Sequence, residues 1–164
     1  MIIGFIGCGT IAKATIEGIC SSRIKYKKIL ISFRNEKNST TLKKKYKKIL
    51  VYKNNQDIID KCDWVFLSIT PTVGEKIIKN LKFKTNQTVV SFISTITISE
   101  LKKMIKTKVN VVRAIPLPPI SLKKGPVPIC PPNKKVKLFF DQLGSTVEIK
   151  NEKLSINFWS TSGM

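Results

Sequence analysis

The chain has 164 residues, 42% of them hydrophobic and 24% charged, which is typical of one folded domain and excludes a wholly disordered chain. The formal net charge of +20 suggests a nucleic-acid partner, but only three of the 30 basic residues are arginine and the lysines are spread along the whole chain. Because arginine is the preferred residue for recognising bases and phosphates, we expect no specific nucleic-acid binding, only weak attraction to polyanions.

Strand-like and helix-like stretches alternate along the chain. Strands are predicted at 1–7, 27–33, 49–52, 63–69, 88–94, 110–115, 127–130 and 145–149. Helices are predicted at 10–22, 38–48, 54–62, 70–81, 97–105 and 131–144, and the proline-rich stretch 116–126 is predicted to be a loop. This alternation predicts an α/β fold with a doubly wound, mostly parallel sheet and helices on both faces.

The helix ends carry recognisable capping residues. Thr97 and Glu100 have the spacing of a capping box. The other expected terminal residues are Asn38 or Ser39 for the second helix, Asn54 or Asn55 for the third, Thr70 with Pro71 for the fourth, and Gly144 closing the sixth.

The four cysteines, Cys8, Cys20, Cys62 and Cys130, are scattered without a C-x-x-C pair. We interpret them as reduced, mostly buried thiols of a cytoplasmic protein. Because histidine is absent as well, no metal site is expected. The apolar runs are too short to cross a bilayer and the amino terminus lacks signal-peptide features, so we expect neither membrane association nor a cleaved leader.

The stretch 7–12, GCGTIA, has the spacing G-x-G-x-x-A directly after a predicted strand and at the start of a helix. In that context Gly7 permits a tight turn, Gly9 lets the backbone approach a pyrophosphate, and Ala12 lets the helix pack close to the strand. The exposed N–H groups of the first helical turn would point at the phosphates. The alternative is a turn that binds nothing, and the strand-helix-strand context favours dinucleotide binding.

The end of the second predicted strand should select the cofactor, because NAD enzymes usually carry an acid there for the ribose 2′-OH. This chain has Ser32, Phe33, Arg34 and Asn35 instead. The missing acid removes a repulsion against a 2′-phosphate, and Arg34 can pair with one, so NADP is favoured over NAD. Glu36 weakens this argument, and Arg34 is alternatively a solvated loop cation.

Five stretches together resemble the pyrroline-5-carboxylate reductase family, in the family's order and spacing. They are residues 3–19, 62–71, 88–105, 111–119 and 138–149. The resemblance implies a Rossmann-type domain, residues 1–150, that binds NADPH, in an enzyme that reduces 1-pyrroline-5-carboxylate to L-proline in proline biosynthesis. It puts Gly7, Cys8, Gly9, Thr10 and Ile11 on the pyrophosphate, Ser32, Arg34 and Asn35 near the adenosine 2′-phosphate, Asn55 beside the ribose, and Ile69, Thr70 and Pro71 near the nicotinamide.

Three positions depart from the family pattern. Thr70 stands where the family usually has lysine, Thr95 replaces a glycine after the fifth strand, and Leu117 lies in a loop that has lost an Asn-Thr pair. Two polar groups of the substrate pocket are therefore missing, which leaves the small-molecule substrate open. No catalytic residue is assigned. Thr70, Ser94 and the stretch 116–119 are expected to form one wall of the ligand crevice.

The resemblance implies that residues 151–164 begin the connection to a helical domain, which in the family forms the dimer and the substrate pocket. We therefore expect the chain to be the cofactor domain of a longer protein that forms a homo-oligomer, a dimer or larger. The apolar stretch 154–159, with Phe158 and Trp159, is expected to be partly exposed or buried against a second copy.

Two other functions remain open at this point. One is a related NADP-dependent oxidoreductase acting on another imine, a β-hydroxy acid or a deazaflavin. The other is a nucleotide-sensing domain without turnover.

Overall fold

An eight-stranded sheet forms the centre of the molecule in the computed structural model, which describes residues 1–154. The strands are β1 (Ile2–Ile6), β2 (Lys28–Ser32), β3 (Ile49–Tyr52), β4 (Trp64–Leu67), β5 (Thr88–Ser91), β6 (Asn110–Ala114), β7 (Pro126–Cys130) and β8 (Ser145–Glu148). Their order is β3-β2-β1-β4-β5-β6-β7-β8, and every neighbouring pair is parallel except β6 and β7. The predictions for residues 155–164, including the exposure of Phe158 and Trp159, concern residues outside the described range.

Six α-helices connect the strands. They are α1 (Thr10–Ser21), α2 (Glu36–Lys45), α3 (Asn55–Lys61), α4 (Pro71–Ile77), α5 (Ile98–Ile105) and α6 (Lys134–Phe140), with 3₁₀ turns at Ile78–Asn80 and Pro118–Leu122. All eight predicted strands and all six predicted helices are therefore confirmed within residues 1–154. No helix in this range has the length and apolar character that a membrane span requires.

The sheet is covered on both faces, because side chains alternate along each strand. Ile3 and Phe5 of β1 pack with residues of α1, α2 and α6, whereas Ile6 packs with residues of α3, of α5 and of the turn after α4. Both faces are therefore dry, and the strands read as continuous apolar runs, as parallel strands do. The predicted Rossmann-type architecture is confirmed.

One predicted N-terminal cap is wrong, and the structure decides between the two residues predicted for another. Helix α2 begins at Glu36, and the Oδ1 atom of Asn35 accepts a hydrogen bond from the Asn38 N–H at 3.1 Å, so neither Asn38 nor Ser39 is its cap. Strand β2 thus turns into α2 with almost no loop. Asn54, not Asn55, caps α3 by accepting from the backbone N–H of Gln56.

Gly144 has a different role from the predicted one. Helix α6 already ends at Phe140, followed by Asp141, so Gly144 does not close it. A Cβ atom at Gly144 would lie 2.5 Å from the backbone oxygen of Gly125. The glycine is therefore required by the close approach of two chain segments at the start of β8.

The proline-rich stretch 116–126 is not a loop throughout, because it contains a 3₁₀ turn and its last residue, Pro126, begins β7. Two prolines open the turn, where their fixed φ fits and no backbone donor is needed. The side chain of Ile120 is fully buried, and a Cβ atom at Gly18 of α1 would lie 2.5 Å from the Ile120 backbone oxygen. The turn is therefore anchored against α1.

Aromatic rings fill the centre of the face that α1 and α6 cover. Phe66 is fully buried, and its ring stacks on that of Phe5 with a centroid distance of 4.6 Å. Because no neighbour can fill the space of this ring, Phe66→Ala should lower the free energy of unfolding by about 3–5 kcal/mol. Urea unfolding monitored by circular dichroism measures it. The control is Leu138→Ala at an exposed position of α6, and equal losses in both variants would contradict the packing described.

Candidate functional site

The glycine loop lies where β1 and β4 end side by side, at the point where the strand order reverses direction. Gly7 has a φ of +99°, a conformation that other residues rarely adopt. A Cβ atom there would lie 2.0 Å from the backbone oxygen of Ser68. Only glycine therefore fits between the ends of these two strands. In open α/β sheets this position is the usual ligand crevice.

Two side chains, one at the end of β2 and one in the first turn of α2, hold the loop in place. The backbone N–H of Gly7 donates to the Ser32 Oγ atom at 2.8 Å. The Nδ2 group of Asn38 donates to the backbone oxygen of Cys8 at 2.9 Å. Burial raises the pKa of the Cys8 thiol to about 11, so this group stays protonated at neutral pH. Cys8 thus contributes backbone rather than a reactive thiolate.

Gly9 differs from Gly7 because no atom lies within 4 Å of the position that its Cβ would occupy. It caps α1 without a side-chain hydrogen bond, and no acidic residue lies in the first turn of that helix. The first N–H groups of a helix have no partner within the helix, and the helix dipole favours an anion there. The space in front of Gly9, facing the start of a 12-residue helix, therefore fits a pyrophosphate.

Two cavities open from this point along the carboxyl ends of the strands. The first, of about 470 Å³, extends towards the start of α2, and the second, of about 450 Å³, extends towards the ends of β5 and β6. They share four lining residues, Gly9, Ser68, Ile69 and Thr70. An extended ligand with its middle at Gly9 would therefore place one end in each cavity.

Ten of the twelve predicted site residues line one of the two cavities. These are Gly7, Cys8, Gly9, Thr10, Ile11, Arg34, Asn35, Ile69, Thr70 and Pro71. The other two are Ser32 and Asn55. The Ser32 side chain is 4% exposed and holds the glycine loop, and Asn55 is the half-buried first residue of α3. Ser32 therefore acts on the loop rather than facing the first cavity.

The second cavity has an uncharged wall. The expected contributors Thr70 and Ser94 lie there, together with Pro116, Leu117 and Pro118 of the proline turn. None of the residues within 1–154 that line it is charged or a histidine. This wall borders a ligand on one side and offers no group that titrates near neutral pH.

Sequence reasoning missed several contributors to the site. The missed lining residues are Ser68, Val73, Phe92, Ile93 and Ile115. All of them except Val73 directly follow the parallel strands β4, β5 and β6. Their position after the carboxyl ends of predicted strands could have identified them as lining residues. Asn38 was also missed, because it contacts the loop across 30 residues of sequence.

The far end of the first cavity carries opposite charges. Arg34 and Glu36 both line it and both are exposed, on either side of the capping residue Asn35. This end therefore offers a guanidinium for a phosphate and a carboxylate for a ribose hydroxyl. Within residues 1–154, no three histidine, cysteine, aspartate or glutamate side chains come together as metal ligands.

A model of the family described as NADP oxidoreductase coenzyme F420-dependent matches residues 2–95, more than half of the chain. The chain belongs to this family. The matched region runs from β1 to just beyond β5, so it includes the glycine loop, the start of α2 and the ends of the three strands around the crevice.

The chain is also similar to named pyrroline-5-carboxylate reductases. It is 27% identical to pyrroline-5-carboxylate reductase 3 of Danio rerio over 126 residues, which are 75% of this chain and 43% of that protein. It is 29% identical to pyrroline-5-carboxylate reductase of Vibrio alginolyticus over 125 residues, which are 75% of this chain and 46% of that protein. The chain thus matches less than half the length of either relative. These similarities confirm the resemblance to the pyrroline-5-carboxylate reductase family that was inferred from the sequence.

A solved structure shows the same fold. It is the Plasmodium falciparum pyrroline carboxylate reductase with NADP bound, which superposes with a TM-score of 0.82 at 22% identity over 99% of this chain and 62% of that chain. At this identity the likeness establishes the Rossmann-type fold of the described residues and no more.

Substitution of the two glycines of the loop, Gly7 and Gly9, should have different effects. Gly9→Val should abolish nucleotide binding and leave the fold intact, because its side chain would enter open space in front of α1. Gly7→Val should lower stability, because its Cβ would collide with Ser68. Calorimetric titration with NADPH and circular dichroism measure the two effects. Nucleotide binding that survives Gly9→Val would mean that the loop faces another ligand.

Proposed function

We propose that the chain is the NADPH-binding part of an enzyme that reduces 1-pyrroline-5-carboxylate to L-proline. The observation that carries the proposal is the junction at Gly9, where an open space in front of α1 joins a cavity with charged lining residues to one whose lining is neutral. The similarity to reductases of that name supports the choice of substrate.

The residues of the chain act by binding and positioning. In this proposal, the N–H groups at the start of α1 bind the pyrophosphate, and Ile69, Thr70 and Pro71 border the nicotinamide. The cofactor, when bound, supplies a hydride from the nicotinamide ring. Ser94 and residues 116–118 form one neutral wall beside the nicotinamide, and a second wall is needed to keep water out and to hold the imine close to the ring. Such a reaction depends on orientation more than on acid–base side chains.

We further propose that the intact protein is a cytoplasmic homo-oligomer, a dimer or larger. The described residues supply one wall of the second cavity, and the relatives extend well beyond the matched region. In this proposal, a helical domain of the longer protein, partly from a second copy, supplies the opposite wall. The four free cysteines favour a reducing compartment.

NADPH should bind more tightly than NADH, because Arg34 lies at the end of the first cavity. Arg34→Ala should remove most of the difference, since a hydrogen bond to a charged group contributes about 1.5–3 kcal/mol, roughly tenfold or more in affinity. Calorimetric titration of both nucleotides measures it, with the exposed Arg23→Ala, at the far end of α1, as control. Equal affinities of the unchanged chain for both nucleotides would refute the choice of NADPH, and Glu36 would then point to NAD.

A second candidate is an NADP-dependent oxidoreductase that reduces a deazaflavin. The description of the family to which the chain belongs favours it. The loss of the Asn-Thr pair around Leu117 is consistent with a substrate that lacks the polar groups of a pyrroline carboxylate.

Oxidation of NADPH by the 164-residue chain and by the longer protein proposed here tests these functions. With pyrroline-5-carboxylate, the longer protein should turn over, and the 164-residue chain should bind NADPH with little or no turnover. The reason is that precise positioning contributes about 7–11 kcal/mol of the barrier, and one wall does not provide it.

The same assay with a deazaflavin separates the candidates. Turnover with the deazaflavin and not with pyrroline-5-carboxylate would refute the first proposed function and support the second candidate. Full turnover of pyrroline-5-carboxylate by the 164-residue chain would refute the need for a second wall. NADPH binding without turnover of either substrate would leave a nucleotide-sensing domain.

A further inference from the structure

Arg113 is a charged residue in the interior of the domain, with a side chain that is 1% exposed. It is the last residue but one of β6. Its guanidinium donates to the backbone oxygen of Ser94 through NH2 and to the Glu152 Oε1 atom through NH1, the latter at 2.6 Å. The same Oε1 atom accepts the backbone N–H of Ile98 at 2.9 Å. The two charged side chains thus join three segments that are distant in sequence.

Arg113 is connected to two residues that line the second cavity. Ser94, whose carbonyl the guanidinium binds, lines the cavity, and so does Ile115, which lies two residues beyond Arg113 on the same chain segment. Ile98 is the first residue of α5, so the Glu152 carboxylate also lies at the positive end of that helix. Glu152 itself belongs to the segment 149–154, which follows β8.

A buried ion pair is weak support for stability, because removing two charges from water offsets most of their attraction. An apolar side chain would fill the same space without linking the three segments. What only the charged pair provides is a directional connection. The planar guanidinium presents N–H groups on two separate nitrogens in a fixed geometry, one to a carbonyl and one to a carboxylate, whereas the ammonium of lysine presents all its donors from one atom on a flexible stem.

We propose that Arg113 and Glu152 are positioning residues for the second cavity: they fix the Ser94 segment, one part of its wall, relative to the segment 149–154 that follows β8. The proposal rests on the proposed function in so far as that cavity holds the reducible substrate. Neither residue lines either cavity, and in the proposed function the adenosine end and the pyrophosphate bind in the first cavity and at Gly9, so most of the cofactor's contacts do not depend on them.

The test compares Glu152→Gln and Arg113→Lys with the matched exposed controls Glu148→Gln and Arg23→Lys, all in the full-length protein that carries this chain. Three quantities are measured: the NADPH affinity, kcat and KM for pyrroline-5-carboxylate, and amide hydrogen exchange of residues 92–98. Glu152→Gln keeps an oxygen for Ile98 and the size of the side chain, so it should fold even if Arg113→Lys does not.

In Glu152→Gln we expect NADPH affinity within about twofold of that of the original protein, and faster amide exchange at residues 92–98. We expect kcat to be lower by about tenfold or more, because the variant loses a hydrogen bond between two charged groups. The controls should change none of the three. A kcat equal to that of the controls, or a parallel loss of NADPH affinity and kcat, would overturn the proposal.

Hydrogen exchange separates this proposal from the proposed function. If the original protein binds NADPH but does not reduce pyrroline-5-carboxylate, the proposed substrate is wrong. Faster exchange confined to residues 92–98 in Glu152→Gln, at unchanged NADPH affinity, would still support the positioning role. Unchanged exchange there would overturn it.

Discussion

The close approach of Gly7 to Ser68 is the constraint on which the rest of the site depends. It brings the ends of β1 and β4 so near that a Cβ atom on Gly7 would overlap the Ser68 backbone oxygen. The left-handed φ of Gly7 then turns the chain sharply enough for α1 to begin at Thr10. The Ser32 hydroxyl binds the Gly7 N–H from β2, so the ends of three adjacent strands meet at one point.

This junction also fixes the distance between the two cavities. Ser68, Ile69 and Thr70 follow β4 directly and line both of them. A displacement of the β4 end would therefore change both cavities together. Under the proposed function a dinucleotide needs such a rigid frame, because its two ends would lie in different cavities and hydride transfer tolerates little misplacement. The buried aromatic packing beneath the junction, including Phe5 and Phe66, keeps the two central strands in register.

The sequence predicts those features that depend on local pattern. Apolar runs identify the strands, and the glycine spacing of 7–12 identifies the turn, because both signals lie within a few residues. The sequence does not predict the hydrogen bond from the Gly7 N–H to the Ser32 hydroxyl, because a residue at a strand end has two possible directions. Gly144 looked like the end of a helix because its contact, the Gly125 carbonyl, is not its sequence neighbour. Long-range contacts of this kind have no local signal.

The net charge of the chain affects how fast anions reach it, whereas the lining of the second cavity affects how a ligand is oriented there. A charge of +20 on the whole chain raises the local concentration of anions such as NADPH and accelerates their encounter with the protein. The lining of the second cavity is neutral within residues 1–154, so charge does not fix the orientation of a ligand there. Orientation must then come from shape, which requires a wall whose position does not vary. The buried Arg113 meets this requirement because it binds the backbone of the wall and leaves the cavity surface uncharged.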